Sequence, residues 1–289
     1  MSSHQGKKMK VDLSKVSAKN KRAKQVRLPQ PKNPDRLEEE LHKMLNGMAA
    51  AIRKRFENQV LKKLTKADIK KFHDGYIEMK DATYSATFKK LVANFEKSIK
   101  KQFSEARIKR YISKLYKKTH GYNTRTSYRT IDDKFAVDIA SVLKTDGLNT
   151  FVTAKTLETT GQIIKTKTEM MEGMSQNAIR LMNAGKSLTT LYEEVAIQNK
   201  KNLGKSELVA RNVLKAFNTQ LSKKRAENLG AKKAIWRTAG GSKVRECHRV
   251  RDGKEYEIGV GLYSSCDGLT LEVGESVNCR CVAEYIIDL

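Results

Sequence analysis

The chain has 289 residues, 39% of them hydrophobic, and carries 58 lysines and arginines against 32 aspartates and glutamates, a formal net charge of +26 at pH 7. A chain this basic repels itself unless an anionic partner or counterions neutralise it, so nucleic acid is the first partner to consider and an anionic membrane surface the second. No run approaches the ~20 consecutive apolar residues of a membrane span. A membrane surface would need a basic amphipathic segment with bulky apolar anchors at one end, and we expect no membrane partner.

Residues 1–34 predict a flexible basic arm. They hold all three prolines of the chain and a single acidic residue, Asp12. So little apolar surface cannot offset the entropy of ordering the segment. A solubilising tail or a run like a nuclear-localisation signal is the alternative interpretation. We expect the arm to bind DNA phosphates through its cations, which include Lys7, Lys8, Lys10, Lys21, Arg22, Lys24 and Arg27.

Residues 35–230 predict a helical body. Asp35 is suited to cap its first helix, after which apolar residues recur every three or four positions and indicate a buried stripe. A second long helical pattern is interrupted at residues 120–123, His-Gly-Tyr-Asn. Farther on, Ser206 is suited to cap a helix that Gly230 would end in the left-handed conformation.

Residues 231–289 predict a small β-rich module. Ala234–Thr238 has the pattern of a short strand, Asp252-Gly253 is a favoured hairpin turn, and Asn278–Ile287 is the expected closing strand. The predicted fold class is therefore α+β: a mainly α-helical body with a flexible basic N-terminal arm and a small C-terminal β-rich module.

The module holds all four cysteines of the chain. The N-terminal residues lack the apolar core of a secretory signal, so we expect reduced thiols or metal ligands and not disulfides. Cys279, Cys281, Cys266 and His248 form the predicted site, because three sulfurs and one imidazole are a permitted tetrahedral set for structural zinc. Cys247 could replace His248 in that set. The alternative is that the thiols are small buried hydrophobic groups and that His248 is a structural residue, facing Asp252.

The same module contains a series of distinctive residues, most of them polar, at characteristic spacings. They are Trp236, Thr238, Arg245, His248, Asp252, Gly253, Asn278, Cys279, Arg280 and Cys281. This order and the polar helix before it resemble the phage Mu F-like minor head protein family, also called phage head morphogenesis proteins, over about residues 200–285. The chain departs from the family pattern at Ala239, where an acidic residue commonly stands, and at Val273, where proline is usual.

The resemblance implies a minor capsid protein of a tailed bacteriophage, associated with the portal and the packaged DNA in head assembly or genome delivery. It implies the portal protein and the major capsid or scaffolding protein as partners, and a place in the virion, at the portal vertex or capsid interior, after assembly in the host cytoplasm. The composition by itself indicates only a polyanionic partner. We expect that partner to be double-stranded DNA, bound without sequence preference.

Two other functions remain open from the sequence. A metal-dependent nuclease would use His248, an asparagine and the paired cysteines near a basic surface, but a His-Asn-His site needs a second histidine that the module lacks. A zinc-stabilised regulator that binds nucleic acid would need a recognition element with base-edge donors, and none is evident. We therefore expect a protein that is not an enzyme.

Overall fold

The structure, a computed structural model, describes residues 13–15, 18–20, 22–32, 34–77, 86–135, 147–242 and 244–289. The helices are α1 (Asp35–Gln59), α2 (Lys66–Ile77), α3 (Ala86–Gln102), α4 (Glu105–Lys134), α5 (Leu148–Asn183), α6 (Leu188–Asn228) and the short α7 (Glu246–Arg249), with 3-10 turns at Leu13–Lys15 and Leu61–Lys63. The strands are β1 (Gln25–Pro29), β2 (Lys233–Arg237), β3 (Glu255–Glu257), β4 (Leu262–Ser264), β5 (Leu269–Leu271) and β6 (Val282–Asp288). This confirms the predicted fold class, mainly helical with a small strand-rich C-terminal region.

The apolar stripe of α1 is buried as its spacing predicts. Leu41, Leu45 and Ile52 have no exposed surface, because residues three and four positions apart share one face of a helix. Farther along the same face, Phe56 meets Phe95 of α3 edge to face, with ring centroids 5.3 Å apart. The stripe is therefore core packing.

Two of the long helices continue where the sequence predicts otherwise: one through a predicted break, the other through a predicted helix start. Residues 120–123 lie inside α4, and Asn123 there is fully buried and donates to Asn218 and Ser222 of α6, at 3.0 and 2.7 Å. Ser206 lies inside α6, where its hydroxyl donates to the carbonyl of Asn202. Both predictions were wrong, because packing against α6 satisfies Asn123 and a carbonyl of its own helix satisfies the Ser206 hydroxyl.

The main sheet has four strands in the order β1-β6-β2-β3, and each neighbouring pair is antiparallel. Trp236 of β2 lies opposite Ala283 of β6 and is fully buried. The predicted hairpin at Asp252-Gly253 was wrong, since β2 and β3 are joined by a longer connection that contains α7. Strands β4 and β5 form a separate two-stranded sheet.

The predicted arm is wrong in its described part, because β1 is an edge strand of the main sheet. Val26 and Leu28 alternate with exposed residues and are 7% and 6% exposed, so one face of the strand belongs to the core. Gln30, just after β1, bonds the backbone N–H of Ala283 and the hydroxyl of Thr219. The segment is ordered because its apolar side chains pack against residues from the other end of the chain.

The packing also divides the chain differently from the predicted boundaries after residues 34 and 230. The first compact unit comprises the described residues up to Glu38 together with Ser113–Thr156 and Arg211–Leu289. The second comprises Glu39–Ile112 and Leu157–Ala210. The C-terminal module thus belongs to a larger unit that includes β1 and parts of the long helices.

None of the described helices has the length and apolar character needed to cross a membrane.

Candidate metal centre

Three side chains that can bind a metal meet in the C-terminal module: His248, Cys279 and Cys281. Their ligating atoms lie within 4.8 Å of one another and all three residues are buried. His248 Nδ1 is 3.2 Å from the Cys281 sulfur and 3.7 Å from the Cys279 sulfur. Ligands of a tetrahedral zinc ion are separated by about 3.6 Å between nitrogen and sulfur, so the spacing would fit a metal ion, and we refer to these three residues as the metal-binding group.

The backbone around Asn278 directs both thiols to the same side. Asn278 has a φ of 58°, a left-handed conformation that asparagine adopts more readily than most residues, and its N–H donates to Asn212 of α6 at 3.0 Å. Burial then alternates, with Cys279 and Cys281 buried and Arg280 exposed. Alternate side chains of an extended segment share a face, so the Cys-x-Cys spacing places two sulfurs opposite one imidazole.

The pKa values of the three groups are shifted by their mutual contacts and by burial. The hydrogen bond from Cys281 lowers the pKa of Cys279 well below its usual range, and backbone donors that include Gly274 act in the same direction. The same hydrogen bond and burial raise the pKa of Cys281. Burial lowers the pKa of His248. These shifts favour one thiolate, one thiol and a neutral imidazole at neutral pH.

Arg251 and Trp236 are buried and pack together beside the metal-binding group. The Arg251 guanidinium lies 4.1 Å from the Trp236 ring centroid and is anchored by the carbonyl of Cys247 and the hydroxyl of Ser264. The Trp236 ring also meets His248 edge to face, at 5.9 Å. The charge of Arg251 favours the Cys279 thiolate, since an opposite charge nearby stabilises the ionised form. Nothing in the local sequence pattern distinguishes Arg251 from exposed arginines.

Cys266 is not a member of this group, because it is disulfide-bonded to Cys247, with their Cα atoms 5.9 Å apart. The prediction of Cys266 as a metal ligand was therefore wrong, and so was the expectation of no disulfide. Cys247 and His248 are neighbours on α7 and point to different partners. The bond joins α7 to the turn after β4 and leaves Cys279 and Cys281 as free thiols.

The remaining motif residues hold the loops around the centre. Asp252 accepts the backbone N–H of Thr238 at 2.7 Å, so it does not face His248 as the sequence suggested. Gly253, at a φ of 75°, donates its N–H to the carbonyl of Trp236. Arg245 donates to the carbonyl of Val277. These contacts tie the connection after β2 to α7 and to the segment before β6.

Gly274 also contributes to the site, although it is not among the predicted site residues. Its φ is 86°, and an added Cβ would lie 2.9 Å from Thr219 Oγ1 on α6. Its backbone N–H is among the donors that favour the Cys279 thiolate. The glycine therefore lets the loop approach α6 closely enough to place a donor at the sulfur.

An open cleft of about 390 Å³ lies beside the metal-binding group. It is bordered by Arg211 of α6, by Arg245, and by Arg280 together with His248 and Cys281. Arg211 donates to Asn278 Oδ1 at 3.4 Å and pairs with Glu38 at 3.5 Å. The sequence signal for Arg245 and Arg280 was their place in the motif, whereas Arg211 belongs only to the polar helix that precedes it.

The predicted DNA-binding residues are placed only in part. Lys7, Lys8, Lys10 and Lys21 lie outside the described residues. Arg22, Lys24 and Arg27 are exposed, and Arg27 is on β1 between the buried Val26 and Leu28. These three cations are therefore available to an anionic partner while the strand that carries Arg27 is packed in the sheet.

The chain is similar to a Haemophilus influenzae protein described as an uncharacterized protein, with 28% identity over 128 residues. The match covers 44% of this chain and 28% of the relative, so the chain spans less than a third of that relative's length. No protein-family model matches the chain, and no solved structure matches it. These matches establish no family.

Proposed function

We propose that this chain is a minor head protein of a tailed bacteriophage. Its C-terminal module attaches to the portal protein and to the major capsid or scaffolding protein, and its basic surface neutralises packaged duplex DNA. This role places the protein at the portal vertex or the capsid interior of the virion, and in the host cytoplasm during assembly. It requires no catalytic step.

The observation that carries the proposal is the convergence of the motif residues in the module. Trp236, His248 and the Asn278–Cys281 segment are separated in sequence, yet they surround the same metal-binding group. Such convergence is expected if the motif that resembles the Mu F-like family acts as a structural unit. The net charge of +26 and the exposed Arg22 and Arg27 support the DNA-binding half of the proposal.

Zinc is the proposed ion at the metal-binding group. Two sulfurs and one imidazole nitrogen suit its ligand preferences, and a buried neutral His248 offers a lone pair at Nδ1. A second thiolate beside Cys279 is unfavourable without a cation, which zinc would supply. When bound, zinc would join α7 to the segment before β6 and act as a structural cross-link.

Elemental analysis of the purified full-length chain tests the zinc proposal. We expect the wild type to bind about one zinc per chain and the Cys279→Ser/Cys281→Ser variant to bind none. The matched control is Cys247→Ser/Cys266→Ser, which removes the same number of sulfurs. It should keep its zinc, while losing ~2–4 kcal/mol of stability with the disulfide. Equal zinc loss in both variants would contradict the assignment of ligands.

Purified virions test the proposed head function. Mass spectrometry should detect the chain in the particles at low copy relative to the portal protein, and the full-length chain should co-sediment with isolated portal rings. Particles that lack the chain, together with a chain that does not bind the portal or any other shell protein, would refute the proposal.

A metal-dependent nuclease is the second candidate function. The observation in its favour is the cleft lined by Arg211, Arg245 and Arg280 beside His248. Incubation of supercoiled plasmid with the full-length chain and magnesium, manganese or zinc distinguishes the two functions. Persistent supercoiled plasmid is expected for a head protein, whereas nicked or linear product that disappears in His248→Ala would establish the nuclease.

A further inference from the structure

The cleft beside the metal-binding group has a composition that the proposed structural role does not require. Three of its lining residues are arginines, and no aspartate or glutamate of the described chain lines it. Guanidinium groups that share a cleft repel one another and raise the local positive potential. An arrangement of this kind is stabilised by an anion that enters the cleft.

The arginines retain donors for such an anion. Arg280 is exposed and makes no hydrogen bond or ion pair with any residue that the structure describes. Arg245 is also exposed and directs Nη2 to the carbonyl of Val277, which leaves its other donors for a ligand. Arg211 is held in place on α6 by Glu38 and Asn278. The cleft therefore combines an anchored guanidinium with two that can close on a ligand.

His248 supplies an independent sign of a ligand. It lines the cleft and is 3% exposed, and its Nε2 has no hydrogen-bond partner within the described part of the chain. Its Nδ1 faces the two sulfurs, so Nε2 is the ring nitrogen left to meet a ligand, and it is a donor whenever it carries the ring proton. A buried donor without an acceptor is costly, and an oxygen atom of a bound anion would remove that cost.

We propose that this cleft binds a phosphate group, either in a nucleic-acid strand or as the free ion. Guanidinium groups match phosphate oxygens with paired hydrogen bonds, and phosphate offers enough acceptors for three arginines and an imidazole N–H. The inference rests on the proposed function only for the source of the phosphate. It adds a phosphate contact at the metal centre, away from the N-terminal cations.

The first test measures the melting temperature of the full-length chain with inorganic phosphate against chloride at equal ionic strength. Phosphate should raise the melting temperature of the wild type and should fail to do so for Arg280→Ala, because a ligand that binds the folded state stabilises it. The matched control is Arg249→Ala, which removes an exposed arginine of α7 that does not line the cleft and should keep the shift. No shift in the wild type, or an equal shift in all three proteins, would overturn the proposal.

The second test identifies the source of the phosphate by measuring duplex DNA affinity in the same proteins. An affinity loss of about tenfold or more in Arg280→Ala relative to Arg249→Ala would identify nucleic acid, since a charge-assisted contact has this size. Equal affinities with the phosphate shift still lost in Arg280→Ala would identify the free ion. Zinc content and circular dichroism are recorded for each variant to confirm an intact module.

The portal experiment separates this inference from the proposed function. A chain that responds to phosphate through Arg280 but does not bind portal rings would retain the cleft site and lose the head-protein role. A chain that binds portal rings but shows no phosphate effect at Arg280 would lose only the cleft site.

Discussion

At the scale of single residues, the charges of the metal-binding group define how it should take up an ion. Cys279 is stabilised as a thiolate by the Cys281 thiol and by backbone donors, whereas Cys281 keeps its proton. Burial lowers the pKa of His248, which favours its neutral ring. A divalent cation would therefore need to displace the proton of Cys281 and little else.

Proton release on zinc binding tests this arrangement. We expect roughly one proton per zinc at neutral pH, because only the Cys281 thiol must ionise. Calorimetry in two buffers of different ionisation enthalpy measures the number. Cys281→Ser should bind zinc weakly with almost no release. A release of roughly two protons from the wild type would show that Cys279 is not a thiolate before the metal binds.

Gly274 provides a second residue-scale prediction, about the close approach to α6. Gly274→Ala should destabilise the protein by ~1–3 kcal/mol more than Gly268→Ala, because only the former meets a neighbour, Thr219, at 2.9 Å. Both glycines have positive φ, 86° for Gly274 and 67° for Gly268, so the control also carries the cost of a left-handed backbone. Urea denaturation of the two variants measures the difference, and equal stabilities would show that Thr219 moves aside freely.

At the scale of elements, β1 shows how a segment of low apolar content becomes ordered. Its buried residues Val26 and Leu28 pair along β6, in register with Ile287 and Tyr285. Its exposed residue Arg27 lies between them. Two apolar side chains are enough to order this short strand, because it adds to a sheet and core formed by the rest of the unit. Few residues therefore lose conformational entropy.

Stability measurements on β1 distinguish a strand from a flexible arm. Leu28→Ala should cost ~2–5 kcal/mol, because it removes a buried side chain from the core. Arg27→Ala on the exposed face should change stability by less than ~0.5 kcal/mol. Thermal or chemical denaturation compares the two. A Leu28→Ala variant as stable as Arg27→Ala would mean that the strand does not pack in solution.

At the scale of the whole molecule, the net charge of +26 dominates any encounter with a polyanion. Binding to duplex DNA should be indifferent to sequence and should weaken steeply with salt, because each contacted phosphate contributes about −0.9 to the slope of log affinity against log salt. Anisotropy titrations with two unrelated duplexes at several salt concentrations measure this slope. Absent binding, or binding that salt does not change, would count against DNA as the partner.

The sequence by itself determined the features that depend on near neighbours. These are the helical stripe of α1, the left-handed Gly230 that follows α6, the strand around Trp236 and the charge that calls for an anionic partner. The Cys-x-Cys spacing likewise indicated that Cys279 and Cys281 act together, since alternate residues share a face.

Only the tertiary structure decided which distant residues meet. Cys266 pairs with Cys247 rather than with the Cys279 and Cys281 group, although nothing in the local sequence around Cys266 indicates that partner. In the same way β1 pairs with β6 from the opposite end of the chain. Such contacts depend on which backbone segments the whole fold brings within a few ångströms of each other. Local sequence propensity does not determine that distance.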